Sequence, residues 1–129
     1  MENVILGIAI CISLFAGCSS DEKQQAVYHK ISAEEAYKII TEQPDYTLLD
    51  VRTDAEYKVQ RIAGALLIPD YEIEDRAEKE LPDKNRIILV YCRSGRRSET
   101  AARALVRMGY VNVYDFGGIM QWPYDTVSD

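Results

Sequence analysis

One histidine, one tryptophan, two phenylalanines and three cysteines are all that 129 residues contain of these types. Each scarcity closes off a class of function. The single histidine, His29, lies in a polar stretch, and no His–Cys or Cys–Cys pair has ligand spacing, so neither a metal site nor a cofactor is expected. Positive charge is also short: a net charge of −6 argues against nucleic acid or anionic lipid as a general partner. The apolar run Val4 to Phe15 is too short to span a bilayer. There is no internal repeat and no low-complexity segment. What remains is the composition of one globular domain, 47% hydrophobic and 28% charged.

The most informative stretch is Ile87-Ile88-Leu89-Val90-Tyr91-Cys92-Arg93-Ser94-Gly95-Arg96-Arg97-Ser98. Its apolar start reads as a buried parallel strand. A short arginine-rich loop with one glycine follows, and a helix pattern starts near Ser98. A thiol at the carboxyl end of a strand, facing a helix amino terminus, lies where open α/β folds place ligands. Backbone N–H groups and the helix dipole favour negative charge there, and neighbouring arginines favour thiolate over thiol. Arg93, Arg96, Arg97, Arg103 and Arg107 stand against the single acid Glu99, a basic patch in an acidic protein. That pattern points to a nucleophilic sulfur and a small anionic substrate. The rival reading of Cys92 as a buried structural cysteine would require burying the arginines beside it, which is costly.

Val4 to Phe15 has the length of a signal-peptide apolar region, although Met1-Glu2-Asn3 lacks the usual Lys or Arg. The segment Leu14-Phe15-Ala16-Gly17-Cys18-Ser19-Ser20 resembles the bacterial lipobox, in which the cysteine becomes the lipidated first residue of the mature protein. On this reading residues 1–18 are a signal peptide ending at Cys18, and 19–30 form a polar tether holding His29. Residues 31–129 form the domain, anchored through lipid in the bacterial cell envelope and facing outside the cytoplasm. Cleavage removes Cys11 and lipidation consumes the Cys18 thiol, leaving Cys92 free with no partner for a disulfide. Ser19, rather than aspartate, after Cys18 is compatible with outer-membrane sorting.

Along the domain, Ser32-Ala33-Glu34-Glu35 is a capping box opening a helix that ends near Thr41. Tyr46 to Val51 reads as a strand, Asp54 to Lys58 as a helical turn, Leu66 to Ile68 as a short strand and Tyr71 to Leu81 as a helix. The Cys92 strand follows, then a helix from Glu99 to Met108 with Gly109 at its C′ position, then a strand at Val111 to Tyr114. Alternating strands and helices imply an α/β fold with a parallel sheet of about five strands and helices on both faces. Asp50 and Arg52, at a strand end, read as a structural ion pair with Glu56 as a further partner. Tyr91 and Trp122 read as packing residues.

The ordered landmarks Leu48-Leu49-Asp50-Val51-Arg52, Glu56-Tyr57, Ile62-Ala63-Gly64-Ala65, Cys92-Arg93-Ser94-Gly95-Arg96-Arg97-Ser98 and Gly117-Gly118 with Trp122 resemble a single-domain rhodanese, a sulfurtransferase family. The resemblance spans Ile31 to Pro123. It implies that Cys92 takes a sulfane sulfur from a small anionic donor such as thiosulfate, becomes a persulfide, and passes the sulfur to a thiol or cyanide. It further implies that Arg93, Ser94, Gly95, Arg96 and Arg97 cradle the transferred sulfur, in line with loop N–H groups forming an anion nest. Where family members commonly carry Gly-His, this chain has Gln60-Arg61, which removes that histidine and adds a cation.

Two rivals remain in view. Cysteine-loop phosphatases and arsenate reductases carry arginine six residues after the cysteine; here the sixth residue is Ser98 and the fifth is Arg97. That loop is one residue short for a tetrahedral oxyanion. A non-catalytic binding module of the same fold need not keep the cysteine, and this chain keeps cysteine, glycine and arginine together.

Overall fold

The computed structural model describes residues 27–129. The expected leader and Cys18 lie outside the described residues. Among these residues no helix is long and apolar enough to cross a membrane. Five strands, β1 (His29–Lys30), β2 (Tyr46–Asp50), β3 (Leu66–Leu67), β4 (Ile87–Cys92) and β5 (Val113–Gly118), form one sheet in the order β1-β5-β4-β2-β3. All neighbours run parallel. Four α-helices, α1 (Ala33–Glu42), α2 (Asp54–Val59), α3 (Ile73–Glu80) and α4 (Arg96–Arg107), fill the connections. The expected α/β architecture is the observed one.

Side chains alternate across a strand, and β4 shows what this does. Ile88, Val90 and Cys92 face one side, where α3 and α4 supply Ile73, Ala77, Ala101 and Leu105. Leu89 and Tyr91 face the other, with Ala36 of α1, Ile62, Phe116 and Trp122. Both faces are covered, so β4 is apolar throughout rather than alternating. Ser32 and Thr53 start α1 and α2 with reciprocal capping boxes, closed by Glu35 and Glu56.

Three expectations are corrected. The tether does not run to Lys30: His29 and Lys30 pair with Tyr114 and Asp115 as an edge strand, and His29 stacks on Tyr114 at 5.0 Å. The last strand is Val113–Gly118, not Val111 to Tyr114; Val111 is exposed and its N–H donates to the Lys84 carbonyl. Helix α4 begins at Arg96, ahead of Ser98, because Gly95 takes the N-cap position at φ 119°, a conformation open to glycine.

The register of β4 on β5 slips between Val90↔Asp115 and Cys92↔Gly118, so Phe116 and Gly117 oppose Tyr91 alone. This is a bulge with Gly117 at φ 88°, placed beside the thiol. It drives β5 into the loop after Cys92: a Cβ on Gly118 would lie 2.0 Å from the Arg93 carbonyl oxygen. Gly118→Ala is therefore expected to destabilise the domain by about 1–3 kcal/mol, the range for overpacking, read as a lower urea midpoint.

Candidate active site

β4 ends at Cys92, and Arg93-Ser94-Gly95 turn the chain into α4. Cys92 is 1% exposed, free of any disulfide, and its Sγ accepts the Gly95 N–H at 3.0 Å. The first amides of α4 have no acceptor within the helix, and Gly95 provides no side chain to cap them. An electron-rich sulfur thus meets a polarised helix end. Two backbone contacts clamp the loop from the far side: the Met120 N–H donates to the Arg93 carbonyl at 3.2 Å, and Gly118 abuts that same carbonyl.

The basic patch is largely neutralised. Arg97 makes a two-pronged ion pair with Glu56 at 2.8 and 2.9 Å. Arg103 pairs with Glu99 and Arg107 with Glu74. Arg93 and Arg96 are exposed and have no acidic partner among the described residues. Of the expected cradle, Arg93, Ser94 and Gly95 form the loop after the thiol and Arg96 opens α4, while Arg97 pairs with Glu56 of α2 and its charge still acts on Cys92. The early helix start causes this, since it puts Arg97 in the first turn of α4, facing Glu56.

Glu56 acts on Arg52 through its charge, as expected of a further partner, but its hydrogen bonds go elsewhere: its Oε1 accepts the Thr53 N–H and the Thr53 hydroxyl while both oxygens take Arg97. The hydrogen bond from Arg97, aided by Thr53, outweighs partial burial and holds the Glu56 carboxyl at about 2. Asp50 and Arg52 do form the expected structural pair, buried at 0% and 3% exposure. Arg52 donates to Asp50 at 2.7–3.2 Å and to the Gln60 carbonyl at 2.6 Å. It thereby ties the end of β2 to the end of α2. Tyr91 packs with Phe116 and accepts the Ile62 N–H, and burial, then the charge of Asp50, pushes its hydroxyl up. Arg61 does not join the site: its side chain pairs with Asp129 at 2.8 Å and its backbone bridges to Val127.

Sequence reasoning missed Asp115. It is fully buried in β5, and its Oδ1 accepts the Ser98 hydroxyl at 2.7 Å and the Gly117 N–H at 2.9 Å. Its Oδ2 has no hydrogen bond, with the Lys30 ammonium 3.5 Å away. Asp115 thus fastens the first turn of α4 to the bulge. A lone acid between Val113 and Phe116 was the available signal, hidden by ending the strand at Tyr114.

Beside the loop lies an open cleft of about 660 Å³, lined by Arg52, Ala55, Glu56, Val59, Gln60, Arg93, Ile119, Met120 and Trp122. No group of three or more His, Cys, Asp or Glu among the described residues could hold a metal ion.

Fold and site together define an α/β domain built around a strand-end thiol at a helix amino terminus. Residues 32–124 match the family model of the rhodanese-like domain, and the chain belongs to that family. It is 39% identical over 71 residues to the thiosulfate sulfurtransferase PspE of Escherichia coli, covering 55% of this chain and 68% of that protein. Identity to the thiosulfate sulfurtransferase GlpE of Coxiella burnetii is 34% over 97 residues, covering 74% and 88%. A rhodanese-related protein of Thermoplasma volcanium superposes with a TM-score of 0.69 at 32% identity, over 79% of this chain and all of that one, 100%. The chain is a rhodanese-type sulfurtransferase.

The Glu56–Arg97 pair makes stability depend on acid. A carboxyl whose pKa falls on folding contributes above its unfolded value, here 4.5, and loses that contribution as pH drops towards about 2. Glu56→Gln should cost about 1 kcal/mol at pH 7, the upper end for a partly exposed pair. The difference from wild type should shrink between pH 4.5 and 2 in chemical denaturation series.

Proposed function

We propose that Cys92 is the nucleophile and persulfide carrier of this sulfurtransferase, with thiosulfate as donor and a thiol or cyanide as acceptor. The observation that carries the reading is the Gly95 N–H on Cys92 Sγ at the amino end of α4. The Cys92 thiolate attacks the outer sulfur of thiosulfate; the S–S bond of the donor breaks and sulfite leaves with the electron pair. The sulfur bound to Cys92 now carries the negative charge. Loop and helix N–H groups offset it, as a preorganised anion site should. Cyanide or a thiolate then attacks that outer sulfur, the Cys92 S–S bond breaks, and the thiolate returns. Arg93 and Arg96 attract the anionic donor. Arg97 acts at one remove, by tying α4 to α2 through Glu56. The thiosulfate sulfurtransferases among the relatives support the choice of donor.

The loop also weighs against phosphoryl chemistry. With α4 starting at Arg96 and Arg97 held by Glu56, the turn is short and the arginine that would grip a phosphate is engaged. A non-catalytic docking role leaves the buried, hydrogen-bonded thiol without a purpose. Treatment with thiosulfate should add one sulfur to the peptide carrying Cys92, detected by mass spectrometry. Cys92→Ser should abolish both this mass and thiocyanate formation. An active Cys92→Ser protein, or efficient aryl phosphate hydrolysis by wild type without sulfur transfer, contradicts the reading.

We further propose that Cys18 is lipidated, becomes the first residue of the mature protein once the leader before it is cleaved, and holds the enzyme in the bacterial cell envelope. The support is the sequence Ala16-Gly17-Cys18 after an apolar run. One acyl chain binds membranes marginally, so the multiple chains of a bacterial lipoprotein are what make the anchor stable. Wild type should fractionate with membranes and Cys18→Ala should be released or left unprocessed; uncleaved wild type in the cytosolic fraction contradicts it.

A further inference from the structure

The cleft beside the Cys92 loop is larger than its donor needs. About 660 Å³ lies in the range of pockets that enclose an organic molecule of drug size, roughly 300–1,000 Å³, whereas thiosulfate and cyanide are a few atoms each. Its walls are uneven in character. Val59 is 75% exposed and Met120 is 60% exposed, and both line it with Ala55, Ile119 and Trp122. These exposed apolar side chains, beside the loop that follows Cys92, suit a ligand with an apolar part.

The charges that line it sort just as clearly. Arg52 is spent on Asp50, and Glu56 on Arg97. Arg93 alone of the charged lining residues has no partner among the described residues. Its backbone is fixed, because its carbonyl is held by the Met120 N–H. One cation therefore stands on a rigid loop next to Cys92, with apolar walls extending away from it.

We propose that this cleft binds the sulfur acceptor, and that the acceptor is an organic thiol carrying a carboxylate and an apolar body. The inference rests on the persulfide reading of Cys92. The carboxylate sits at Arg93 and the apolar body lies on Val59 and Met120, which aims the thiolate at the outer sulfur. A new bond forms between the acceptor sulfur and the transferred sulfur while the Cys92 S–S bond breaks. The product is the organic persulfide anion, and the Cys92 thiolate is restored without net oxidation. Donor and acceptor react in turn, so Arg93 serves each anion in succession.

Three acceptors test this on the full-length protein with thiosulfate as donor: 2-mercaptoethanol, 3-mercaptopropionate and N-benzoylcysteine. They are respectively neutral and small, anionic and small, and anionic with an apolar body. Wild type should favour N-benzoylcysteine over 3-mercaptopropionate in kcat/KM by about tenfold, the lower end of what one apolar contact in a pocket discriminates. The doubly substituted Val59→Ser, Met120→Ser protein should cut that preference to within about twofold of parity. Comparing the two proteins cancels the intrinsic nucleophilicity of each thiol. Both substitutions lie at exposed positions, so the melting temperature should hold, and Val59→Ser alone provides a milder second variant. No preference in wild type, or a preference that survives the double substitution, overturns the proposal while turnover with cyanide continues. Absence of turnover with every acceptor, cyanide included, overturns the persulfide reading and this one with it.

Discussion

Everything at the site depends on how closely β5 comes to the loop that joins β4 to α4. Arg93, Ser94 and Gly95 must reverse the chain between the end of a buried strand and the first turn of a helix. The backbone of Gly118 is packed against the Arg93 carbonyl so tightly that a methyl group would overlap it. This approach needs the bulge at Phe116 and Gly117, and the bulge needs a glycine at positive φ. Gly95 completes the turn from the other side and puts its N–H on Cys92 Sγ. Backbone, rather than side chains, thus shapes the surroundings of the thiol.

The charged side chains mainly hold that backbone in place. Glu56 and Arg97 join α2 to the first turn of α4, and Asp115 joins Ser98 of the same turn to the bulge. Asp50 and Arg52 join the ends of β2 and α2 from beneath. Burial of such groups is costly unless they are paired, and Arg52 Nε and Nη2 meet both oxygens of Asp50. Arg93 and Arg96 are left exposed and without an acidic partner among the described residues.

The sheet, its helices and the position of Cys92 were legible because each rests on local pattern: an apolar run, a capping box, a glycine at a strand-to-helix junction. Asp50 and Arg52 were readable as a pair for the same reason, being two residues apart on one strand end. Glu56 with Arg97, and Asp115 with Ser98, join residues far apart in the chain, and composition does not say which acid meets which base. The short strand His29–Lys30 was hidden in polar sequence because an edge strand needs little apolar character when one neighbour supplies its hydrogen bonds. The family resemblance places Arg97 in the cradle, in a loop that the sequence pattern ends near Ser98. With Gly95 capping at φ 119°, the helix takes Arg97 with it.

The central claim is that backbone N–H groups of the loop and of α4, and not the Arg97 guanidinium, hold the transferred sulfur. A crystal structure of the protein after thiosulfate treatment tests this most directly. The account predicts one additional sulfur on Cys92 Sγ, surrounded by main-chain N–H groups between Arg93 and Ser98, with Arg97 still paired to Glu56. An Arg97 side chain released from Glu56 and bound to the added sulfur, or to a sulfur oxyanion in its place, would contradict it.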